Sequence, residues 1–436
     1  MNISQPPARV TLRTKSLFAA FLFFLPFTQA LTFNLFFPLK ISEILLFTIL
    51  LTEFARLNPR KLNTAYFKEF KLPLLFALVA TLSCIVNLFW EYPYELSDAS
   101  VRISNSWDSV LRLLYIYANF FAFYLAIKFI GDDISILRYW LYGALSAALY
   151  SWYLVSFSAS HLPVILLPGM GAIPQTIDGV IIRCGTFKEG NFFGLYLALS
   201  SVIAFHLGRK RMGWFLLASV ITSFSTTAVI SAFVFFSYLI LKMLSRRNTV
   251  FLSLIIFVFF SVFMFFFKTS DFFIRNVSNK LFDPMHTLTP DNFSKVDRYL
   301  SARTAFLQGV HNPILGVGPN NYALHKSCYC DLGAVLDNPP PNLTFCDANP
   351  SLHPIPNSVY FEVLAEYGFL GLFFFLLMLV KFYFMARKQK LFFISLGLLL
   401  CFFSLIAFPS FIMLFLWVYF AIPYAVKQNR EKQVDQ

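Results

Sequence analysis

Charge is scarce in this sequence. Only 13% of the 436 residues are Asp, Glu, Lys or Arg, whereas 58% are hydrophobic and 57 are phenylalanine. A soluble domain of this size would not stay dispersed with so little charge, so that class of protein is excluded. The composition predicts a polytopic membrane protein whose fold is an all-α transmembrane helical bundle.

Long polar breaks are also few, and the apolar runs between them set the predicted topology. A helix needs about 20 apolar residues to cross a bilayer. We predict about twelve spans, at residues 17–38, 41–57, 72–90, 109–131, 134–157, 187–208, 212–225, 226–245, 249–268, 357–385, 391–407 and 409–427. The seventh and eighth are separated only by the short polar break from Ser223 to Thr227.

Two further absences narrow the class of membrane protein. No small-residue cleavage site ends the first apolar run before Pro38, which argues against a cleaved signal peptide. The sequence also lacks an internal repeat and a pair of Gly/Pro-broken spans in matching halves, which are typical of many transporters. A transporter is therefore disfavoured.

The net charge of +13, from 35 Lys and Arg against 22 Asp and Glu, is compatible with nucleic-acid binding until the positions of the cations are considered. With a cytoplasmic N-terminus, the predicted inside segments hold 23 of the 35 cations. Most of the remainder lie in or beside one long outward loop, which the positive-inside bias does not govern. The sequence therefore predicts two cytoplasmic termini, contact with membrane lipid and no nucleic-acid partner.

This topology divides the chain into three parts. Residues 1–268 contain nine spans and an outward loop at 158–186. Residues 269–356 form one large outward loop between spans 9 and 10, and residues 357–436 contain the last three spans and a cytoplasmic tail.

Four of the six cysteines fall on the predicted outer side, where an oxidising compartment favours disulfides. They are Cys184, Cys328, Cys330 and Cys346, while Cys84 and Cys401 lie within spans. A metal site at the three loop cysteines is disfavoured, because no histidine stands at a finger-like spacing. We predict no metal and a disulfide joining Cys346 to either Cys328 or Cys330.

Three polar patches lie on the predicted outer face. The first is the stretch "IIRCGTFKEGN", in which Arg183 precedes the sixth span. An arginine at a span end often only reaches the headgroups, but the positive-inside bias disfavours it on this side. Gly185 and Gly190 suit a turn and Asn191 suits a helix N-cap.

The second patch is "SARTAFLQGVHNPILGVGPNNY" with its lead-in. Arg298 and Arg303 lie on an amphipathic segment that is predicted to end at Asn312-Pro313, although an arginine there can also pair with Asp291 or Asp297. Gly316 and Gly318 are followed by Pro319, so they form neither a dinucleotide fingerprint nor a P-loop and predict a tight turn. His311 is interpreted as a surface residue.

The third patch begins the tenth span. Asn357 is predicted to N-cap that helix, so that free backbone N–H groups face the headgroup region. Glu362 and Glu366 are spaced i and i+4 and share one helical face, a position where carboxylates are often only interfacial. His353 is the histidine best placed to reach the membrane surface.

Together the three patches resemble the bacterial O-antigen ligase and polymerase superfamily. The matching positions are Arg183, Gly185, Thr186 and Phe187; Arg303, Pro313, Gly316 and Gly318; and Asn357, Tyr360, Glu362, Glu366 and Gly368. The resemblance covers roughly residues 180–385 and implies a multi-pass protein of the bacterial inner membrane with its large loop in the periplasm.

The resemblance also implies a metal-independent glycosyltransferase without a cofactor. Its donor would be a glycan on a polyprenyl (undecaprenyl) diphosphate, and its acceptor a second glycan or a lipid A core sugar, in O-antigen, lipopolysaccharide or exopolysaccharide biosynthesis. Arg183 and Arg303 would neutralise the diphosphate leaving group, and His353 would take the acceptor proton. Arg298, Asn357, Glu362, Glu366, Gly316 and Gly318 are the predicted substrate-binding residues.

Two questions stay open at this point. Family members often carry His directly before the Asn, where this chain has Pro356, which favours a polymerase over a ligase. The alternative from another class is a transporter or flippase of the same lipid-linked glycan. It would need ionisable residues near mid-bilayer, and the spans are nearly free of them. Other polysaccharide-assembly proteins are expected as partners in either case.

Overall fold

The computed structural model describes residues 12–34, 38–55, 65–89, 99–170, 174–177, 179–225, 284–289, 292–340, 343–346 and 354–434, with four single positions between 225 and 284. This part of the chain is mostly helical. Its helices are α1 Leu12–Phe24, α2 Ile41–Phe54, α3 Ala65–Leu88, α4 Ala99–Asp132, α5 Leu137–Ala159, α6 Gly190–His206, α7 Lys210–Ser219, α8 Phe293–His311, α9 Lys326–Tyr329, α10 Val359–Lys388, α11 Phe392–Ser404 and α12 Leu414–Val434.

Four short 3-10 helices and two hairpins complete the described structure. The 3-10 helices are Ile134–Ile136, Val220–Ser223, Thr344–Cys346 and Leu405–Ala407. Strands β1 (Thr32–Asn34) and β2 (Pro38–Lys40) pair antiparallel, as do β3 (Thr176–Ile177) and β4 (Ile181–Ile182). The second hairpin ends one residue before Arg183 and so fixes where that side chain begins.

Helices occupy ten of the twelve predicted spans, because uninterrupted apolar sequence favours backbone hydrogen bonds made within one segment. Within the described ranges, three helical segments are long and apolar enough to cross a membrane, namely Glu69–Leu88, Ser106–Asp132 and Val359–Lys388. The helices Gly190–His206 and Phe392–Ala407 are apolar but shorter. The predicted spans 226–245 and 249–268 lie almost wholly outside the described residues, so the count of about twelve stays a prediction.

The first predicted span was too long. Helix α1 ends at Phe24, and the chain then turns through residues 25–31 into β1 instead of continuing to Pro38. Pro26 lacks a backbone N–H, and Leu31 has φ 60°, so neither residue suits the interior of a regular helix. The carbonyl of Pro26 accepts a hydrogen bond from Thr186 Oγ1 at 2.6 Å, which ties this turn to the first patch.

Aromatic rings fill much of the core between helices. The Trp417 ring of α12 lies 4.6 Å from Phe120 of α4 in an edge-to-face arrangement. Phe123 of α4 also meets Tyr424 of α12, with centroids 5.9 Å apart. Such pairs add to the free energy gained by burying the rings. They hold α4 in register beside α12, which fixes the height of polar residues on α4.

Helix α10 is broken at Gly368, whose φ of 67° and ψ of −171° are not helical. The loop after α8 closes the break, because Phe369 N donates to Pro313 O at 2.7 Å and Val317 N donates to Ala365 O at 2.8 Å. Gly318 N donates to Glu366 O at 3.0 Å. The turn predicted after Asn312-Pro313 therefore replaces the helix's own hydrogen-bond partners.

Candidate functional site

Arg183 is positioned by the β3–β4 hairpin. Its backbone N donates to Gln175 O at 3.1 Å, and the side chain of Gln175 accepts from Gly190 N at 2.9 Å, at the start of α6. The guanidinium is half-buried, and its Nη1 donates to Phe224 O at 3.3 Å. Its Nε is buried and makes no hydrogen bond within the described structure. The local fold thus fixes the position of Arg183, while its Nε–H donor is left without a hydrogen-bond partner in the described structure.

Arg298 on α8 is brought close to Arg183. Burial lowers the pKa of Arg183, and the positive charge of Arg298 lowers it further, while Glu189 acts in the opposite direction. Both guanidinium groups stay charged at neutral pH, because arginine in proteins is not deprotonated in that range. Two like charges therefore share a half-buried position, and we call Arg183 and Arg298 the arginine patch.

Arg303 lies on the same helix as Arg298 but not on the same side. The two positions are five apart, which places them about 140° from each other around an α-helix. Arg303 is half-buried, and no hydrogen bond or ion pair of its guanidinium is present among the described residues. No described contact joins it to Arg183.

Three polar side chains, those of Asp297, Asn357 and Lys326, border the arginine patch. Asn357 Nδ2 donates to Asp297 Oδ2 at 3.0 Å, and Lys326 and Arg298 both lie near that carboxylate. Burial nevertheless raises the pKa of Asp297, against the opposing effects of Lys326, Arg298 and Asn357. Burial also lowers the pKa of Lys326, whose ammonium group lies 3.6 Å from the centroid of the Phe345 ring. Of the two predicted pairing partners for the arginines, Asp297 is the one that the structure describes, and Asp291 lies outside the described residues.

The predicted N-cap at Asn357 is wrong. Helix α10 begins at Val359, and Ser358 occupies the cap position with extended φ and ψ of −148° and 122°. The Asn357 amide instead points to Asp297. An N-cap side chain accepts from the backbone N–H groups of the first turn through its oxygen, whereas Asn357 stands one residue before the cap and uses its Nδ2 as a donor to a carboxylate.

Glu362 and Glu366 share one face of α10, as their spacing predicted, and both are buried, with 0% and 1% of the side chain exposed. That face meets Arg112 of α4, which forms an ion pair with Glu362 and lies close enough to Glu366 to influence its charge. Arg112 Nη2 also donates to Ser410 Oγ at 3.1 Å. We call Arg112, Glu362 and Glu366 the buried triad.

Arg112 was not predicted from the sequence. The sequence does place Arg112 near the outward end of the predicted span 109–131. An unpaired cation is costly at that depth. Such a residue requires a buried acidic partner, and the two glutamates of the third patch were the candidates.

The two glycines of the second patch have a packing role in the structure. Gly316 and Gly318 have φ values of 67° and 96°, which favour glycine. A Cβ on Gly316 would lie 2.4 Å from Ala365 O, and one on Gly318 would lie 2.8 Å from Asn87 Cβ. Only glycine permits this close approach of the loop to α10 and α3.

Three of the six histidines lie in or beside the second and third patches. His353 lies outside the described residues. His311 is exposed, with Nδ1 2.8 Å from Leu307 O and its ring 5.1 Å from the Tyr329 ring. His325 is half-buried, and the loss of hydration lowers its pKa to about 4, so its imidazole is neutral at physiological pH.

The large loop contains a disulfide between Cys330 and Cys346, whose Cα atoms are 5.4 Å apart. Cys328 is free and exposed. Of the two pairings that the sequence left open, the structure contains the second. The described residues include no group of three or more His, Cys, Asp or Glu side chains that could hold a metal ion.

Residues 211–376 match a family model described as O-antigen ligase. The match runs from the start of α7 into α10, where it ends at residue 376, and it contains the second patch and the Asn357–Gly368 part of the third. It begins after Arg183. No curated protein matches the chain at a significant level.

Proposed function

We propose that the protein is a membrane glycan transferase of the O-antigen ligase and polymerase superfamily, which the match over residues 211–376 supports. The donor is an oligosaccharide on a polyprenyl diphosphate in the bacterial inner membrane. The acceptor is a sugar hydroxyl, and transfer takes place on the periplasmic face. The described helices are consistent with a membrane protein, and the donor and the face are part of the proposal.

The arginine patch is the observation that carries the proposal. Arg183 loses hydration through burial, and the charge of Arg298 adds to the electrostatic cost of its charged form. An anion between them would reverse both penalties, and a diphosphate offers oxygens that match the planar donor groups of arginine. The unpartnered Nε of Arg183 is a donor available for such an oxygen.

The acids nearby do not take the place of that anion. Asp297 accepts a hydrogen bond from Asn357 and lies beside Lys326, and burial disfavours its charged form. Glu189 influences the charge of Arg183, but no hydrogen bond or ion pair joins the two in the described structure. Positive charge is therefore left over at the patch.

The reaction then proceeds by displacement. The acceptor hydroxyl oxygen attacks the anomeric carbon, and the bond from that carbon to the phosphate oxygen breaks. Arg183 and Arg303 stabilise the negative charge that develops on the diphosphate, and His353 accepts the hydroxyl proton. Arginine supplies the charge stabilisation, so the mechanism requires neither a metal nor a cofactor.

A polymerase is proposed over a ligase. The basis is Pro356, which stands directly before Asn357 where relatives often carry His. In this form the acceptor is a second carrier-linked glycan. In the ligase form it would be a lipid A core sugar.

The test is complementation of a strain that lacks the gene. Arg183→Lys and Arg303→Lys should lower the transfer rate about 100- to 1000-fold, the usual effect of losing one donor to a developing oxyanion. The matched control is Arg211→Lys, because Arg211 is exposed at the start of α7. Membrane fractionation checks that each variant inserts. Full activity of both Arg183→Lys and Arg303→Lys would contradict the catalytic role of these arginines.

The same strain addresses the remaining assignments. His353→Ala should be inactive, whereas His311→Ala should support near-normal polysaccharide. Loss of chain length in the deletion strain would indicate a polymerase, and long unattached chains would indicate a ligase. Failure of the purified protein to transfer glycan from extracted lipid-linked donor would favour the flippase alternative.

A further inference from the structure

Helix α8, in the large loop, leaves one of its sides exposed. Tyr299, Phe306 and Val310 are 47%, 45% and 43% exposed. Arg303 lies between them, four residues after Tyr299 and three before Phe306, so the four side chains form a stripe along one side of the helix. We call this stripe the exposed face of α8. Large apolar side chains in a row indicate a surface with a further partner, whereas isolated ones are normal.

A neighbouring side of α8 packs against the first turns of α10. A Cβ added to Gly309 would lie 2.5 Å from Leu364 Cγ, so the two helices are in direct contact there. The Phe306 ring meets the Phe361 ring edge-on, with centroids 6.3 Å apart. The exposed face of α8 therefore lies beside residues 361–364, at the beginning of α10.

The length of α10 indicates the depth of these residues in a membrane. The helix has 30 residues and is apolar enough to span a bilayer. Its exposed apolar side chains include one stripe, formed by Phe369, Phe373, Leu376, Val380 and Phe384. Arg387 and Lys388 end the helix, and the hydrocarbon core takes about 20 helical residues, so the opposite boundary of the core falls close to Gly368. Residues 361–364 then lie at the depth of the lipid headgroups, and so does the exposed face of α8.

Ile314 connects the exposed face of α8 with the stripe of α10. It is 69% exposed and follows the end of α8 by three residues. Phe369 N donates to Pro313 O at 2.7 Å, and a Cβ on Gly368 would lie 2.5 Å from Ile314 O. Ile314 is thus held beside Phe369, where the stripe of α10 begins. Lipid that covers the stripe of α10 can continue over Ile314 onto α8.

The side chains of the exposed face suit the membrane interface. Phe306 and Val310 are apolar, and tyrosine, as at Tyr299, is enriched at headgroup level. The guanidinium of Arg303 makes no hydrogen bond or ion pair within the described part of the chain, and lipid phosphates are matching acceptors for it. A protein partner would have to bring an anion to Arg303 at a depth where lipid phosphates already supply one.

We infer that α8 is an interfacial helix whose exposed face rests on the lipid leaflet around the start of α10. Phe306 and Val310 lie at the boundary of the acyl chains, and Arg303 lies among the lipid phosphates. The partner of this surface is the bilayer. The inference requires only that α10 crosses the membrane, so it does not rest on the proposed reaction. It implies that lipid fixes the height of the helix that carries Arg298 and Arg303.

The experiment identifies the medium around the exposed face. Nitroxide labels are attached to Phe306→Cys and, separately, to Val310→Cys in the full-length protein, with Cys328→Ser removing the exposed free thiol. The protein is placed in nanodiscs of phosphatidylethanolamine and phosphatidylglycerol. Electron paramagnetic resonance then compares collisions of the label with oxygen, which concentrates in lipid, and with a water-soluble nickel chelate. Both labels should collide preferentially with oxygen.

The matched control is Ser294→Cys in the same background. Ser294 is exposed on the same helix but lies about 120° around the axis from Phe306. Its label should collide preferentially with the nickel chelate, so the ratio of oxygen to nickel collisions should be lower than at 306 and 310. Unfolding temperatures check that the labelled proteins are folded, and the label at 310 decides alone if Phe306→Cys is not.

Two outcomes would overturn the inference. Preferential collision with the nickel chelate at 306 and 310 would show that the exposed face lies in water. Few collisions with either reagent would show that a protein covers it. Neither result depends on glycan transfer. If the labels report lipid but the wild type transfers no glycan, the proposed reaction fails and the interfacial position of α8 stands.

Discussion

The arginine patch and the buried triad use the same side chain in opposite ways. In the triad, Arg112 meets two buried carboxylates, and the guanidinium is compensated within the protein. In the patch, the charge of another arginine disfavours the charged form of Arg183. The Nε atoms of Arg112 and Arg183 are both buried without a hydrogen-bond partner in the described structure, so the two arginines differ in the sign of the charge beside them.

This difference separates an arginine with a structural role from the arginines that we propose to bind a ligand. It also changes the interpretation of Glu362 and Glu366, which were predicted to bind substrate. A substrate that reached either carboxylate would first have to displace Arg112 or share it. Their substrate-binding role stays a prediction, and the structure gives them a role in joining α10 to α4.

The largest expected effect comes from breaking the triad. Arg112→Met leaves two acids buried without a cation, and the removal of one partner of a buried ion pair typically costs about 3–5 kcal/mol in the free energy of unfolding. Thermal unfolding of the purified protein in detergent should show a large fall in stability. Unchanged stability would contradict the structural role of Arg112.

A triple variant sharpens this prediction. Arg112→Met combined with Glu362→Gln and Glu366→Gln removes both uncompensated charges, so it should be more stable than Arg112→Met alone. If the triple variant were the less stable of the two, the cost would lie in lost packing rather than in buried charge.

Helical periodicity was predictable from the sequence because it is local. The shared face of Glu362 and Glu366 and the amphipathic helix that ends at His311 both follow from spacing within one segment. The resemblance to the superfamily is also confirmed over residues 211–376. These features need no knowledge of which helices are neighbours.

The partners of those residues were not predictable in the same way. Arg112 lies far from Glu362 along the chain, as Arg183 does from Arg298, and each pairing depends on how helices pack. The break at Gly368 was hidden within a continuous apolar run. It exists because the carbonyl of Pro313, on a distant loop, accepts the N–H of Phe369.

An intermediate loss of stability is expected at Gly316, where the loop after α8 contacts the backbone of α10 near Glu366. Gly316→Ala forces a side chain into positive φ and toward Ala365 O at 2.4 Å. The combined strain and clash should cost about 1–3 kcal/mol in the free energy of unfolding. The measurement is the shift in unfolding temperature relative to the wild type.

The control for Gly316 is Gly179→Ala. Gly179 also has positive φ, at 71°, but nothing lies within 4 Å of an added Cβ. Its variant carries the backbone strain without the clash, so it should lose less stability. Equal losses at both positions would show that the contact with α10 adds nothing.

The smallest effect concerns Asp297 beside the arginine patch. Burial raises the pKa of this carboxyl in the folded protein, so ionisation at neutral pH disfavours the folded state. Asp297→Asn avoids that penalty and keeps an oxygen that can accept from Asn357. The variant should therefore be as stable as the wild type or slightly more stable at pH 7, by less than about 1 kcal/mol.

The difference in stability between the wild type and Asp297→Asn should depend on pH. A raised carboxyl pKa means that the folded state binds the proton more tightly, so the wild type gains stability as pH falls through the folded pKa toward the unfolded value of 3.8. The variant lacks that gain, and the difference between the two should shrink on acidification. Unfolding temperatures from pH 8 to pH 4 measure it. A variant clearly less stable at pH 7 would show instead that the charge of Asp297 is needed to hold Arg298 and Lys326 in place.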